Sequence, residues 1–146
     1  MPSLTTNLTA AGPIVTLLAG VSGPRRNALI SAGMRVPSQT SIRVLIDTGA
    51  AITCIDPGHL SRLGIRPTGT IGVLTPSTGS IPVQLNQFDI DLMIPLANGQ
   101  RHFIRTLPVI ESDFSAQGFD GLLGRDVLSQ GIFIFNGSGN SFTLSF

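Results

Sequence analysis

The sequence carries little charge and contains neither tryptophan nor tyrosine. Charged residues make up 12% of the 146 residues, and the formal net charge is +1. A protein that binds nucleic acid usually presents a basic surface with aromatic side chains for base stacking. All nine basic residues are arginines, and their longest run is Arg25-Arg26. The composition therefore gives no support to nucleic-acid binding.

Cysteine is nearly absent as well. The single cysteine, Cys54, excludes an internal disulfide framework and a cysteine-based metal cluster. It lies in an apolar stretch over residues 52–55, which predicts a buried structural thiol rather than a nucleophile. His59 and His102 stand alone without the spacing of metal ligands, and we expect ordinary surface or core positions for them. No cofactor and no metal is predicted.

Long hydrophobic runs are also missing. The most apolar early segment, residues 13–21, is too short to cross a bilayer. No Lys or Arg precedes it, although a signal peptide would require one. The segment predicts a first β-strand instead. The default expectation is a soluble, cytoplasmic protein that does not act at a membrane.

Turn-forming residues, in contrast, are abundant. Seventeen glycines and ten prolines separate short apolar runs along the whole chain, a pattern typical of many turns and short strands. The length fits one domain that buries roughly two-thirds of its unfolded surface. We predict a flexible N-terminal arm over residues 1–12 and a single domain over residues 13–146. The predicted fold is mostly β, closed or sandwich-like.

Helices are predicted only at two places, a capped turn over 56–64 and a short C-terminal helix over 125–130. Apolar alternation and β-branched residues predict strands elsewhere. Phe88–Ile94 is expected to be a half-exposed strand, with Asp89 and Asp91 facing solvent. The predicted strands are 14–21, 28–36 (the weakest), 41–46, 52–55, 70–74, 81–85, 88–94, 102–110, 132–135 and 141–146.

One acid stands out because of its apolar surroundings. Asp47 follows Val44-Leu45-Ile46 and precedes Thr48-Gly49, so an ionisable side chain leaves a strand at a tight turn. Burial of an unpartnered carboxylate costs several kcal/mol, and an acid in such a place is a candidate functional group. The plain alternative is a turn residue after a strand.

Two motifs together carry a resemblance to a known family. Residues 45–50, Leu-Ile-Asp-Thr-Gly-Ala, resemble the active-site loop of the aspartic proteases. Residues 121–126, Gly-Leu-Leu-Gly-Arg-Asp, resemble the second signature of the retropepsin-like branch. A glycine-containing hairpin lies between them, where that family places its flap. Over residues 14–146 the chain is therefore similar to retropepsin-like aspartic proteases. Ala51 stands where viral members carry an acid, so the likeness is to non-viral, bacterial members.

The resemblance implies a retropepsin-like closed β fold with one short C-terminal helix. It implies that Asp47 is the catalytic acid/base and that Thr48 reaches the loop of a partner subunit. Gly49 allows the two backbones to approach. The substrate-binding residues implied are Ala50 and Ala51 in the loop, and Thr75, Pro76, Ser77, Thr78 and Gly79 in the flap.

The second signature is expected to support the loop. The resemblance places Leu122, Leu123 and Gly124 beneath it, and glycine is required there because a side chain would collide. Arg125 and Asp126 are expected to form a structural ion pair or a helix cap rather than to act in catalysis. Asp120 is expected to cap or turn the chain.

Peptide hydrolysis by carboxylates requires two of them about 3 Å apart, sharing one proton. The chain has a single Asp-Thr-Gly and is too short for two lobes. A twofold homodimer supplies the second Asp47. The hypothesis is a homodimeric aspartic endopeptidase, active at acidic pH on extended peptides that are apolar at the cleavage point. The alternatives are a dimeric peptide-binding or scaffold module without turnover, and a self-processing domain.

Overall fold

The computed structural model describes all 146 residues and shows a mostly β chain with three short helices. A 3-10 turn over Ala97–Gly99 joins the two longest strands. The fold class predicted from the sequence is confirmed. The elements are β1 (Ser3–Asn7), β2 (Ile14–Val21), α1 (Gly23–Ser31), β3 (Thr40–Ile46), β4 (Cys54–Ile55), α2 (Pro57–Arg62), β5 (Gly69–Val73), β6 (Val83–Pro95), β7 (Arg101–Glu111), β8 (Gly121–Leu123), α3 (Arg125–Leu128), β9 (Ile132–Asn136) and β10 (Ser141–Ser145).

Seven strands form one sheet in the order β2-β3-β8-β4-β7-β6-β5, and β2 also pairs with β6. This second pairing closes six of the strands into a barrel and leaves β5 at an edge. Strand β8 runs parallel to β3 and antiparallel to β4. The predicted hairpin between residues 70 and 85 is present as the antiparallel pair β5–β6.

The barrel interior is filled by aliphatic side chains from alternate strand positions. Leu17, Ile42, Val44 and Ile90 are at most 1% exposed. Full burial of each such side chain contributes about 1.5–3 kcal/mol to folding. Phe142 of β10 belongs to the same core. The core therefore extends from the barrel to a second, smaller sheet.

The second sheet has the order β1-β10-β9, and all its pairings are antiparallel. The N-terminal segment was expected to be a flexible arm over residues 1–12, but residues 3–7 form a strand that pairs with Ser141–Ser145. Leu4 packs against the core, and Thr5 Oγ1 lies 2.8 Å from Thr143 Oγ1. A polar strand such as β1 gains its order from the neighbour with which it pairs.

Helix α1 replaces the weak strand predicted over residues 28–36. Ser22 is its N-cap and accepts a hydrogen bond from the Arg25 N–H at 3.4 Å, while Pro24 lies in its first turn. Both residues are helix-start signals in the sequence. Leu29 is the one helix residue that is buried.

The position of Asp91 also differs from the prediction. Strand β6 is buried over most of residues 88–94, and Asp91 is 8% exposed rather than facing solvent. The Arg26 guanidinium of α1 pairs with it at 2.6 Å. Burial raises the pKa of the Asp91 carboxyl, and the positive charge of Arg26 opposes that rise. A β-carbon at residue 20 would lie 2.5 Å from Asp91 Oδ1, so glycine is required there.

The two helical segments predicted from the sequence, over residues 56–64 and 125–130, are present as α2 and α3. Asp56 caps α2 by accepting a hydrogen bond from the Gly58 N–H at 2.9 Å. Helix α3 begins at Arg125 as expected but ends at Leu128. None of the helices combines the length and apolar character needed to span a bilayer.

Candidate active site

Asp47 stands where β3 leaves the barrel. Its backbone N–H donates to the Leu123 carbonyl of β8 at 3.0 Å, which extends the parallel β3–β8 ladder by one residue. The Gly49 N–H donates to Asp47 Oδ1 at 2.8 Å, and the Ala50 N–H donates to the Asp47 carbonyl at 3.2 Å. The Gly49 N–H therefore orients the carboxylate, and the two backbone bonds of Asp47 fix the turn that carries it.

The local sequence explains this geometry. Ile42, Val44 and Ile46 are buried on one side of β3, and the strand stops where Asp47 and Thr48-Gly49 follow. Asp47 is half-buried in the single chain, so its carboxylate keeps contact with solvent. A β-carbon at position 49 would lie 3.1 Å from Asp47 Oδ1, a tight contact that favours glycine.

Arg125 holds the Asp47 loop through hydrogen bonds to the loop's backbone carbonyls. Its guanidinium Nη1 donates to the Thr48 carbonyl at 2.8 Å and to the Gly49 carbonyl at 3.2 Å. Its backbone N–H donates to the Ala50 carbonyl at 2.9 Å. Arg125 forms no ion pair, contrary to one of the roles considered from the sequence. The physical reason is that position 51 carries alanine, so the carbonyls of Thr48 and Gly49 take the place of an acid as partners of the guanidinium.

Asp126 has a separate role. Its carboxylate accepts hydrogen bonds from the Thr53 N–H at 2.9 Å and the Thr53 hydroxyl at 2.7 Å, and from its own helix at the Val127 N–H at 3.0 Å. Thr53 Oγ1 in turn accepts from the Gly124 N–H at 3.1 Å. Asp126 thus joins the chain after the Asp47 loop to the start of α3.

Thr53 is the supporting residue that the sequence analysis missed. It is 1% exposed, and both its hydroxyl and its backbone N–H are engaged. The available signal was a hydroxyl within the apolar stretch Ile52-Thr53-Cys54-Ile55. A buried hydroxyl requires a partner, and Asp126 supplies it.

The second signature lies directly beside the loop. Leu123 is fully buried and Leu122 is half-buried in β8. A β-carbon at position 124 would lie 2.8 Å from the Ile52 carbonyl carbon, and one at Gly121 would collide with the Cys54 carbonyl oxygen. A side chain at position 124 would therefore collide with the backbone of residue 52, as the resemblance implied.

Cys54 is half-buried and lies close to the carboxylates of Asp126 and Asp47. Burial, with the negative charges of Asp126 and Asp47, raises the pKa of the Cys54 thiol to about 11. A thiol that is protonated at neutral pH is a poor nucleophile. This agrees with the structural role expected from the sequence.

The hairpin between β5 and β6 has a tip held by local bonds only. The Thr75 N–H donates to Thr78 Oγ1 at 2.8 Å, and the Thr78 N–H donates to the Thr75 carbonyl at 3.0 Å. Gly79 adopts a positive φ of 62° in this turn, and Pro76 and Ser77 are exposed. The large apolar side chains that flank the tip are also exposed, namely Leu74, Ile81 and Val83.

The remaining candidates have structural partners. His59 Nε2 lies 3.1 Å from Asp120 Oδ1, and Asp120 Oδ2 accepts from the Arg43 N–H at 2.8 Å. His102 stacks on Phe146 with ring centroids 4.4 Å apart.

A cavity of about 490 Å³ lies away from the Asp47 loop. It is lined by seven residues, none of which belongs to that loop: Ser22, Arg25, Gly64, Ile65, Arg66, Thr68 and Asp89.

No protein-family model matches the sequence, and no curated protein is similar to it by sequence. Among solved structures, the chain is similar to a retropepsin-like aspartic protease from Rickettsia conorii, with a TM-score of 0.59 and 14% identity. That alignment covers 99% of this chain and 90% of the other. A second similar structure is the EIAV protease in complex with the inhibitor HBY-793, with a TM-score of 0.50 and 18% identity over 81% of this chain and 86% of that one. The fold of the chain is retropepsin-like.

Proposed function

We propose that this chain is an aspartic endopeptidase that works as a homodimer and is related to the bacterial retropepsin-like proteases. The observation that supports the proposal most is the Asp47 loop itself. In a retropepsin-like fold, β3 presents one carboxylate, and Gly49 and Arg125 hold the loop that carries it. A turn residue without a function would have no need of such extensive support.

The proposed reaction uses one Asp47 from each subunit. Two carboxyl groups about 3 Å apart share a proton, because both cannot be ionised at that distance. The ionised member takes a proton from a water molecule, whose oxygen attacks the peptide carbonyl carbon. The protonated member donates to the carbonyl oxygen and so stabilises the tetrahedral intermediate. Collapse of the intermediate breaks the C–N bond as the amine takes up a proton. Activity is expected at acidic pH, where the pair holds one proton.

The two residues after Asp47 suit a contact between subunits. Thr48 and Gly49 are both exposed, and the Thr48 hydroxyl makes no hydrogen bond within the chain. Its carbonyl is already held by Arg125. The hydroxyl is therefore available to the matching loop of a second copy. Contact of this kind would bring the two Asp47 side chains together.

The substrate proposed is an extended peptide. Strand β5 lies at the edge of the large sheet and offers unpaired backbone groups with which a peptide strand can pair. The hairpin tip, Thr75–Gly79, would close over it as a flap. Apolar side chains at the cleavage point are expected because Leu74 and Ile81 flank the tip and Ala50 and Ala51 follow the catalytic turn.

The test is peptide cleavage by the full chain, followed by mass spectrometry of a mixed peptide library at pH 4–7. Asp47→Asn is expected to abolish cleavage and to leave the fold unchanged. Asp113→Asn, at an exposed acid elsewhere, is the control and is expected to retain full activity. A fully active Asp47→Asn variant would contradict the proposal.

Mixing the two chains tests the shared site. After subunit exchange, an equal amount of Asp47→Asn chain is expected to lower the activity of the wild-type chain to about half, because mixed dimers hold only one Asp47. Unchanged activity would mean that each chain works alone. Equal peptide binding by both chains with no cleavage would favour the alternative, a peptide-binding module without turnover.

A further inference from the structure

The cavity of about 490 Å³ lies where the start of α1 meets the segment that follows α2 and strand β6. We call it the α1 cavity. Its volume is within the range of about 300–1,000 Å³ that is typical of small-molecule sites. Three of its seven lining residues are charged, namely Arg25, Arg66 and Asp89. The α1 cavity therefore combines the size of a ligand site with charges of both signs.

The charged side chains of the α1 cavity form no ion pair within the chain. Their neighbours on the same two elements behave differently. Arg26 follows Arg25 in α1, and it pairs at 2.6 Å with Asp91, which lies two residues after Asp89 in β6. Helix α1 and strand β6 thus hold one arginine and one aspartate in direct contact and leave another such set open around a cavity.

The aspartate lies deeper in the α1 cavity than the arginines. Asp89 is half-buried beside Ser22, which is 6% exposed, whereas Arg25 and Arg66 are exposed at the rim. A carboxylate that loses hydration without gaining a partner raises the free energy of the folded chain. A cationic group of a ligand inside the cavity would supply the missing partner.

The rim of the α1 cavity offers donors for an anionic group. The two guanidinium groups have the fork geometry that binds a carboxylate through two parallel hydrogen bonds. The backbone N–H groups of Ile65 and Arg66 make no hydrogen bond within the chain. Free backbone donors next to arginines are a common setting for a bound anion. The anionic and cationic groups of a ligand would therefore occupy different ends of the cavity.

We infer that the α1 cavity binds a zwitterion of the amino-acid type, with its carboxylate against Arg25 and Arg66 and its ammonium group against Asp89. A simple anion would be repelled by the aspartate, and a simple amine by the two arginines. Ile65 is the one apolar residue of the lining, so a ligand with a small side chain fits best. A free amino acid and a very short peptide share this chemistry.

The inference does not depend on the proposed function. No residue of the Asp47 loop lines the α1 cavity. The Asp47→Asn chain is therefore expected to bind the zwitterion as tightly as the wild type does. Loss of binding in that variant would place the ligand at the catalytic loop and overturn the inference.

The test is a titration of the full chain at neutral pH, followed by NMR of the backbone amides. L-alanine is expected to shift the signals of Gly64, Ile65 and Thr68 saturably, with a dissociation constant of about 1 mM or tighter. N-acetyl-L-alanine lacks the ammonium group and L-alanine amide lacks the carboxylate. Each is expected to bind at least about tenfold more weakly, because one charged contact is lost. L-alanyl-L-alanine, titrated in parallel, shows whether the longer zwitterion is preferred.

Two variants assign the ends of the ligand. Asp89→Asn is expected to weaken L-alanine at least about tenfold and to leave N-acetyl-L-alanine no weaker than before, since that ligand has no ammonium group. Arg66→Gln is expected to weaken both ligands. Arg62→Gln is the matched control, because Arg62 is an exposed arginine four residues earlier that does not line the cavity.

Thermal unfolding by circular dichroism shows whether each variant is folded. If Asp89→Asn does not fold, the comparison of L-alanine with N-acetyl-L-alanine on the wild-type chain still tests the ammonium contact. Arg25→Gln, at an exposed residue of the rim, repeats the test of the carboxylate contact.

Three results would overturn the inference. The first is the absence of a saturable shift with both L-alanine and L-alanyl-L-alanine. The second is equal affinity for L-alanine and its acetylated form, which would leave Asp89 without a role. The third is inorganic phosphate binding at least as tightly as L-alanine, which would indicate a simple anion site. Selective weakening of the unblocked ligand by Asp89→Asn supports the inference most directly.

Discussion

Two turns of this molecule are similar in composition and opposite in construction. The turn after Asp47 and the hairpin tip at Thr75–Gly79 are both short segments with threonine and glycine. The first is tied to residues more than 70 positions away, through the Leu123 carbonyl and the Arg125 guanidinium. The second is held only by bonds between residues two or three positions apart. Long-range ties make a loop costly to move, and local ties do not.

This difference matches what the proposed chemistry needs. Catalysis by a carboxylate pair requires side chains held to within about 0.5 Å, so the loop that carries them has to be rigid. A flap has to open for a peptide to enter and close over it afterwards. The contrast predicts that substitutions around the Asp47 loop have larger effects than matched substitutions in the hairpin.

The largest effect is expected for Gly124→Ala. The new methyl group would meet the Ile52 backbone at 2.8 Å, and a backbone neighbour cannot rotate away. We expect a loss of about 3 kcal/mol in the free energy of unfolding, measured by urea denaturation. Gly69→Ala, in β5 of the hairpin, is the control, since nothing lies within 4 Å of its β-carbon position. Equal unfolding free energies of the two variants would contradict the predicted difference between the Asp47 loop and the hairpin.

The second-largest effect is expected for Arg125→Ala. It removes the guanidinium bonds to the Thr48 and Gly49 carbonyls while leaving the backbone N–H in place. At about 2 kcal/mol for bonds to a charged group, peptide cleavage should fall about 30-fold. Faster amide exchange at Gly49 provides a readout that does not depend on activity. Arg101→Ala, at an exposed arginine without an ion pair, should change neither measurement.

A smaller difference between the two regions is expected in the reactivity of thiols, because Cys54 lies close to the Asp47 loop. Its pKa of about 11 leaves little thiolate at pH 8, and its reaction with a maleimide should be at least about tenfold slower than that of an exposed thiol. In a Ser77→Cys variant the thiol introduced in the hairpin tip provides the comparison within one molecule. Labelling of Cys54 should accelerate as the pH rises towards 11. Equal rates for both thiols at pH 8 would contradict the raised pKa.

The smallest effect is expected in the hairpin. Thr78→Val removes the side-chain bonds to the Thr75 N–H and carbonyl, which are partly exposed and local. Unfolding free energy should change by less than about 0.5 kcal/mol. If the tip is a flap, KM should change a few-fold, at most about threefold, with kcat nearly constant. A large loss of stability would show that the tip is a structural element of the barrel.

Much of this molecule follows from signals that act over a few residues. Apolar alternation predicts β2 and β3, and Asp56-Pro57 predicts the start of α2. The turn at Thr75–Gly79 predicts the β5–β6 hairpin. Helix α1 was missed although Ser22 and Pro24 mark its start, because its helical face buries only Leu29. A helix with one buried residue has little hydrophobic periodicity to detect.

The sequence by itself determined the acid at the end of β3, the glycine two residues after it, and the single Asp-Thr-Gly triplet for which the proposed chemistry requires a second copy. These depend on local sterics and on the number of Asp-Thr-Gly triplets. Only the tertiary structure decided that β1 is a strand, that Asp91 is buried against Arg26, and that Arg125 binds loop carbonyls. Each of these contacts joins residues 65 or more positions apart. Such partners are selected by the packing of the whole core, and no short segment encodes them alone.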